Sequence, residues 1–511
     1  MAKSSKSGKK ANKTVVSGGM IFVIVAIVLI IACFFTYISG VLPRTLTGVS
    51  ITETLADGTT RTVKNFNVLE TNMHFKEVFD TYSNYGMVSQ DTLDDVYDTT
   101  TGETYRDWLL KEAASQMRTL ALVERAAKGS DFMQYSKAYD YSMGQLASLD
   151  SIAQIYGFQS AQQYMARMYG TGMTTRTYAE YASREVLVTE YGYYLKQFDP
   201  SIVPTDEQIQ AKFNDNNNVY CLYDFNRFYV QAEKDEDGNV IGLDAAIAAA
   251  HVIANATKDS ATFRQAVIDY LDAKGDEESL ASYADGADPT LCTGYTNTTI
   301  AYMDSDVQAF LYGDSKSGDV QVIETTGGAY VVYIVDKRLD DTKVVNYRVM
   351  TLSNEAANKT DATPEEIAQG AQALVNEVAT YAPSGLDPLA FYNVVKEHTT
   401  DTNGMLDGGY NSGARPESFV SSDEENPLDV ATVQAGMWLF EEGRQAGDVK
   451  AFISDDQKTV YVYYFESSAP AWYESVRTDL ITQNFNTWNA NLESNDPHYV
   501  VNAGLVKYLI Y

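Results

Sequence analysis

The chain has 511 residues, of which 45% are apolar, and a formal net charge of −31 at pH 7. Its length allows about three domains, and its apolar content excludes a generally disordered protein. An acidic surface of this kind repels phosphate backbones, so we expect no nucleic-acid partner.

Residues 20–42 form an uninterrupted apolar stretch without a charged side chain. As a helix, this stretch is long enough to cross a hydrocarbon core of about 30 Å. The preceding tail, residues 1–19, is basic and contains no acidic residue, which predicts a cytoplasmic N-terminus and a body beyond the membrane. The basic residues of the tail are Lys3, Lys6, Lys9, Lys10 and Lys13. We therefore expect a single-pass transmembrane anchor at 20–42.

Two other interpretations of this stretch remain open. A cleaved signal peptide has a shorter apolar region and a small-residue cleavage site, for which Gly40 is the one nearby candidate. The segment from Leu29 to Cys33 resembles a bacterial lipobox, in which Cys33 is acylated. Because the apolar run continues well past Cys33, the sequence favours the uncut anchor.

The region 44–203 is predicted to be a mainly helical domain that opens with a β-hairpin. Two runs rich in β-branched residues, 45–52 and 61–69, flank the turn signal at Asp57 and Gly58. Apolar residues then recur at helical spacing, which predicts helices over 105–128, 130–155, 160–169 and 174–198. The last of these carries a broad tyrosine face, which is typical of core packing and also of surfaces that bind polypeptide.

An internal repeat follows the helical domain. A Gly-Asp-Val segment and a β-branched strand occur at 318–335 and again at 447–465. Each is preceded by a strand and then a helix, and the period is about 129 residues, which is too long for a solenoid. We therefore expect a duplicated α+β domain, with module 1 at 204–340 and module 2 at 341–466.

Apolar residues return at helical spacing after module 2. They are Trp472, Val476, Leu480, Ile481, Phe485 and Trp488. A helix with such a face needs a partner, so we expect 467–511 to complete the helical domain. The whole chain is thus predicted to be an α+β multidomain protein. Cys221 and Cys292 show no disulfide-framework pattern, which favours two buried thiols over a disulfide.

This order of parts resembles the exported bacterial foldases of the PrsA and SurA type. The segment Tyr164–Gly170, followed by Thr174, is similar to a helix of the SurA-like chaperone domain, and Pro204–Ile209 is similar to the linker that follows it. The repeated units resemble parvulin modules, which are peptidyl-prolyl isomerases. The resemblance implies a bacterial membrane protein with an extracytoplasmic body, whose partners are unfolded or nascent exported proteins.

Active parvulins use one histidine on the first strand of the module, another on the last strand, and a Cys or Asp between them. In this chain the first strands carry Arg227 and Arg348 without a histidine, and the last strands have Tyr330 and Tyr461 in the corresponding area. We therefore expect no catalytic residue, no cofactor and no metal, and binding without isomerisation.

The apolar lining of the parvulin cleft has counterparts here. By the resemblance, Tyr295, Met303 and Phe310 in module 1, with Tyr410 and Trp438 in module 2, are peptide-binding candidates. The alternative interpretation is that these side chains fill the module cores. The favoured function is a membrane-anchored chaperone. The alternatives are an active isomerase that works by desolvating the prolyl amide, and a structural or adhesive cell-surface protein.

Overall fold

The computed structural model describes residues 40–421, 427–502 and 504, and it has the α+β fold that the sequence predicts. The chain divides into two units. Unit 1 contains the residues up to 192 together with those from 489, and unit 2 contains residues 193–488. Almost all of the predicted anchor and the whole lipobox segment, including Cys33, lie outside the described residues. Over the described part of the chain, no helix combines the length and apolarity needed to span a bilayer.

Unit 1 opens with the short helix α1 (Val41–Thr45) and the predicted hairpin, which is confirmed. Strands β1 (Thr47–Thr54) and β2 (Thr60–Asn67) are antiparallel, and β15 (Pro497–Val501) adds to the other edge of β1. The remaining elements of unit 1 are α2 (Val68–Asn84), β3 (Val96–Asp98), β4 (Glu103–Thr104), α3 (Tyr105–Lys128), α4 (Ala138–Gln145), α5 (Leu149–Ile155), α6 (Ala161–Tyr169) and most of α7 (Thr175–Phe198).

Helix α3 shows why the helical prediction succeeds. Thr104 and Asp107 form a capping box at its start, and its apolar positions are buried against the hairpin and α2. The prediction of one helix over 130–155 is wrong. The buried carboxylate of Glu190 accepts hydrogen bonds from the Ser136 hydroxyl (2.6 Å) and the Lys137 N–H (2.9 Å), which holds the chain in a non-helical conformation there.

Unit 2 contains two four-stranded antiparallel sheets with the same strand order. In module 1 the order is β8-β5-β10-β9, and in module 2 it is β12-β11-β14-β13. The strands of module 1 are β5 (Cys221–Gln231), β8 (Leu291–Tyr295), β9 (Val320–Thr325) and β10 (Gly328–Leu339), with a small hairpin of β6 (Glu233–Lys234) and β7 (Val240–Ile241). Those of module 2 are β11 (Lys343–Ser353), β12 (Tyr410–Ala414), β13 (Val449–Ile453) and β14 (Thr459–Pro470).

Helices cover both faces of each sheet. The helices of unit 2 are α8 (Asp206–Asp215), α9 (Leu243–Ala256), α10 (Ser260–Lys274), α11 (Glu277–Ala281), α12 (Asn297–Ile300), α13 (Ser305–Tyr312), α14 (Pro364–Tyr381), α15 (Pro388–His398), α16 (Thr402–Asp407), α17 (Val430–Leu439) and most of α18 (Ala471–Leu492). Helices α9 and α10 in module 1, and α14 and α15 in module 2, build the larger core on one face. Helix α13 and its counterpart α17 lie over the other face, which we call the cleft face.

Strand pairing sets which residues of the two modules are equivalent. The N–H of Ile334 donates to the Asp319 carbonyl, and that of Phe465 donates to the Asp448 carbonyl, each at 2.9 Å. Two residues before these donors, Val332 faces Arg227 and Tyr463 faces Val349 across the sheet. Arg227 is therefore equivalent to Val349, and Asn226 is equivalent to Arg348.

Candidate functional site

The cleft face of module 1 brings together the three residues that the resemblance indicated. Tyr295, Met303 and Phe310 all pack, partly buried, around the fully buried side chains of Val307 and Leu311. The Tyr295 ring meets the Phe225 ring edge-on, with centroids 5.4 Å apart. Because they are only partly buried, these three side chains contribute to the core and also present apolar surface to solvent.

A cation lies on the same face. The guanidinium carbon of Arg227 is 5.9 Å from the ring centroid of Tyr330, which in turn lies 4.6 Å from that of Tyr229. The Tyr229 hydroxyl is 3.1 Å from the Thr325 hydroxyl, so the tyrosines are anchored at the sheet edge. Sequence reasoning did not assign Arg227 to this cleft. Alternation along β5 from the buried Phe225 is the signal that places it there.

The cleft of module 1 also contains a thiol. Cys292 lies opposite Phe225 in the neighbouring strand, and both it and Cys221 are free cysteines. Burial raises the pKa of Cys292 and of Cys221. Since the thiolate is the nucleophilic form, a raised pKa makes both thiols poor nucleophiles at neutral pH.

The two candidates in module 2 are not brought together. Trp438 is buried beside Phe452, with centroids 6.2 Å apart, and Arg444 stacks on it at 4.2 Å. Tyr410 lies instead opposite Arg348, whose guanidinium carbon is 5.0 Å from its ring centroid. At the position equivalent to Arg227, the cleft of module 2 has the apolar Val349. The cation of this cleft face is instead Arg444, which stacks on Trp438.

None of the four histidines lies on a cleft face. His251 is on α9 and His398 ends α15, where its ring stacks on Tyr381 with centroids 3.9 Å apart. His498 is in β15, and His74 is in α2. The first and last strands of the two modules consequently offer no imidazole for acid–base chemistry.

His74 is the centre of a buried polar cluster in unit 1. Its Nδ1 lies 2.9 Å from the Glu185 Oε1 and 3.5 Å from the Glu77 Oε2. Burial lowers the pKa of His74, but hydrogen bonds to Glu185 and Glu77 outweigh it and raise this pKa to about 9. His74, Glu77 and Glu185 offer the nitrogen and oxygen ligands that are typical of a metal site. The Nδ1–H of the protonated imidazole faces both carboxylates, whereas its Nε2 has no partner among the described residues, and we interpret the cluster as an ion pair of His74 with Glu185 that joins α2 to α7.

Each module has a groove between the cleft-face helix and the strand at the edge of the sheet. In module 1 it has a volume of about 620 Å³ and lies between α13 and β9. In module 2 it has a volume of about 570 Å³ and lies between α17 and β13. Exposed apolar side chains stand on these helices or the loops beside them, including Tyr302 at 91% exposure and Met437 at 72%.

No model of a known protein family matches the chain, and no functionally characterised protein matches its sequence.

Proposed function

We propose that the protein is a membrane-anchored extracytoplasmic chaperone, which binds unfolded exported polypeptides without isomerising their prolyl bonds. The observation that carries this proposal is the repeated cleft face. Both modules present partly exposed aromatic and apolar side chains beside an antiparallel sheet, and neither offers a histidine there. Apolar surface of this kind is suited to binding extended, unfolded chain.

The element order within unit 2 supports the parvulin-like part of the proposal. In each module a strand is followed by helices, an edge strand, the cleft-face helix and a final pair of strands. In each module the Gly-Asp-Val segment leads into the edge strand that follows the cleft-face helix. This strand is β9, which begins at Val320, in module 1 and β13, which begins at Val449, in module 2. This is the arrangement that the resemblance implies for a parvulin-like module.

The chemistry of the clefts favours binding over catalysis. A guanidinium group donates hydrogen bonds and has no acceptor, so Arg227 offers the prolyl amide a donor and no general base. Cys292 is mainly protonated at neutral pH because burial raises its pKa. An isomerase reaction here would have to rely on desolvation of the amide alone, against a rotation barrier of about 18–20 kcal/mol.

The resemblance of residues 44–203 to a SurA-like chaperone domain and the predicted anchor at 20–42 supply the remaining parts of the proposal. Residues 20–42 and the basic tail support a single span with the body outside a bacterial membrane, where exported chains emerge unfolded. The acidic surface of the body keeps a complex with an unfolded client soluble.

Two assays on the same sample of full-length protein in detergent micelles test the proposal. The first follows aggregation of a chemically unfolded model protein, and we expect the full-length chain to suppress it at equimolar amounts. The second follows proline-limited refolding, for which we expect no acceleration. Micelles without protein are the control in both. Unchanged aggregation at molar excess would refute the chaperone function, and faster refolding would identify an isomerase.

A further inference from the structure

The groove of module 1 is built from two different kinds of wall. One wall is a single stripe of α13 and its C-terminus, because Asp306, Ala309, Phe310 and Gly313 follow one another at helical i, i+3, i+4 and i+7 spacing. The other wall is β9, which ends the sheet. Its residues 321–324 all line the groove, although successive side chains of a strand point to opposite faces. The groove therefore runs along the backbone edge of β9.

The alternation of hydrogen-bonded pairs between β9 and β10 shows which backbone groups face the groove. The Ile334 N–H donates to the Asp319 carbonyl, and hydrogen-bonded pairs alternate along an antiparallel ladder. Gln321 and Ile323 consequently bond to β10, whereas the N–H and C=O groups of Val322 and Glu324 point away from the sheet. An extended chain lying in the groove meets the backbone donors and acceptors of Val322 and Glu324, which have no backbone partner among the described residues.

The charges of this groove select its occupant. Among the described residues, four carboxylates line it, from Asp306, Asp314, Asp319 and Glu324, and no basic side chain does. The Lys337 ammonium behind the groove donates to the backbone carbonyls of Gly313 and Ser315. The partly buried side chains of Phe310 and Val322 supply apolar surface between the carboxylates. The corresponding groove of module 2 is lined by one acidic side chain, Glu441, and one basic side chain, Lys450, so it has little net charge. Lys450 and Phe452 are alternate residues of β13, so this groove lies against a face of the strand and not along its backbone edge.

We infer that the groove of module 1 binds an extended, unfolded segment that contains lysine or arginine next to apolar residues, as an added strand along β9. This inference rests on the proposed chaperone function and specifies its substrate class. Main-chain hydrogen bonds give such binding its affinity for any sequence, and the carboxylates give it a preference for basic segments.

The binding experiment uses full-length protein in detergent micelles and a short fluorescent peptide of alternating lysine and valine. Fluorescence anisotropy measures its dissociation constant. Val322→Pro removes an outward N–H without removing a ladder bond, and proline is tolerated on an edge strand. We expect this variant to bind about fivefold more weakly, as for the loss of one hydrogen bond. The matched control is Ala451→Pro, at the equivalent outward position of β13, which is expected to leave binding unchanged.

A second arm changes the peptide instead of the protein. Methylating alternate backbone nitrogens of the peptide removes its donors, and we expect binding to unaltered protein to weaken by about tenfold or more. An alternating glutamate–valine peptide is expected not to bind. This arm remains decisive if Val322→Pro unfolds module 1, which its melting curve reports.

Equal binding by both proline variants, or by the methylated and unmethylated peptides, would overturn strand addition at β9. Equal binding of the glutamate and lysine peptides would overturn the charge preference. If the lysine peptide does not bind while aggregation of a model client is still suppressed, the groove assignment fails and the chaperone function stands. If both assays are negative, the chaperone function fails as well.

Discussion

The Nη1 of Arg348 donates a hydrogen bond of 2.8 Å to the Oε1 of Gln197, at the end of α7. The guanidinium is fully buried and lies 5.2 Å from the ring centroid of Phe198. Its Nε is 2.9 Å from the Glu466 Oε2, a close pair of charges that is poorly aligned for a hydrogen bond. One buried cation thus fixes the end of α7 to the central strands of module 2.

Replacing this cation is expected to destabilise unit 2 strongly. Arg348→Met leaves the Glu466 carboxylate without its partner, and removing one member of a buried pair costs about 3 kcal/mol. Chemical unfolding followed by tryptophan fluorescence measures the change. The matched control is Arg338→Met, whose half-exposed guanidinium pairs with Asp224 and Asp336 at 2.7 Å. It is expected to cost less than about 1 kcal/mol. Equal losses for the two variants would contradict the structural role of Arg348.

The stability of unit 1 is expected to depend on the charge of His74. Its pKa is about 9 in the folded protein, where Glu185 and Glu77 face it, against about 6.5 in an unfolded chain. Because the folded pKa is the higher one, the stabilisation is complete below about pH 6.5 and is lost as the pH rises through 9. Its size is on the order of 3 kcal/mol at most.

Histidine NMR titration and thermal unfolding between pH 6 and pH 10 check this expectation. We expect His74→Gln to lower stability at pH 6 and to remove the decline seen in the unaltered protein near pH 9. His498→Gln is the control, because His498 lies at the surface beside Asp496. If His74 titrates near pH 6.5, the ion pair with Glu185 is absent.

The cleft face of module 2 depends on a glycine in α17. A Cβ on Gly436 would overlap the side chain of Phe419, which packs in the cleft-face core. Gly436→Ala is therefore expected to destabilise the protein by about 1–3 kcal/mol, as for an overpacked core. Gly144→Ala is the control, because Gly144 is a helical position where a Cβ would have no atom of the described residues within 4 Å. That change is expected to stabilise by about 0.5–1 kcal/mol. A neutral Gly436→Ala variant would show that Phe419 has room to move.

Local sequence patterns predict much of this fold. The predictions fail where a contact between residues distant in sequence determines the conformation. The hairpin, helix α3 and the two Gly-Asp-Val strands follow from turn residues, caps and periodicity. The break at Lys137 depends on Glu190, which is distant in sequence and reaches it only in the folded chain. The contact between His74 and Glu185 is hidden from periodicity for the same reason.

In the candidate site, too, local sequence predicts some contacts and strand pairing determines the others. Tyr295, Met303 and Phe310 meet because they follow one another along the cleft-face segment. Tyr410 and Trp438 lie apart because strand register places Tyr410 opposite Arg348. The sequence makes Arg227 and Arg348 look equivalent, but pairing aligns Arg227 with Val349. A shift of one residue moves a side chain to the other face of a sheet, so a repeat alone cannot assign it.

Exposed apolar side chains on the cleft-face helices, or on the segments that lead into them, are expected to bind clients. Tyr302 in module 1 and Met437 in module 2 are largely exposed, so the double variant Tyr302→Ser, Met437→Ser should keep its stability within about 0.5 kcal/mol. We expect it to suppress aggregation of a model client less than half as well as the unaltered protein, because apolar contact area is lost. The control is Val252→Ser, since Val252 is similarly exposed at 69% on α9, over the opposite face of module 1. An equal loss in the control would mean that clients bind any apolar surface, and no loss in either would move client binding away from the cleft faces.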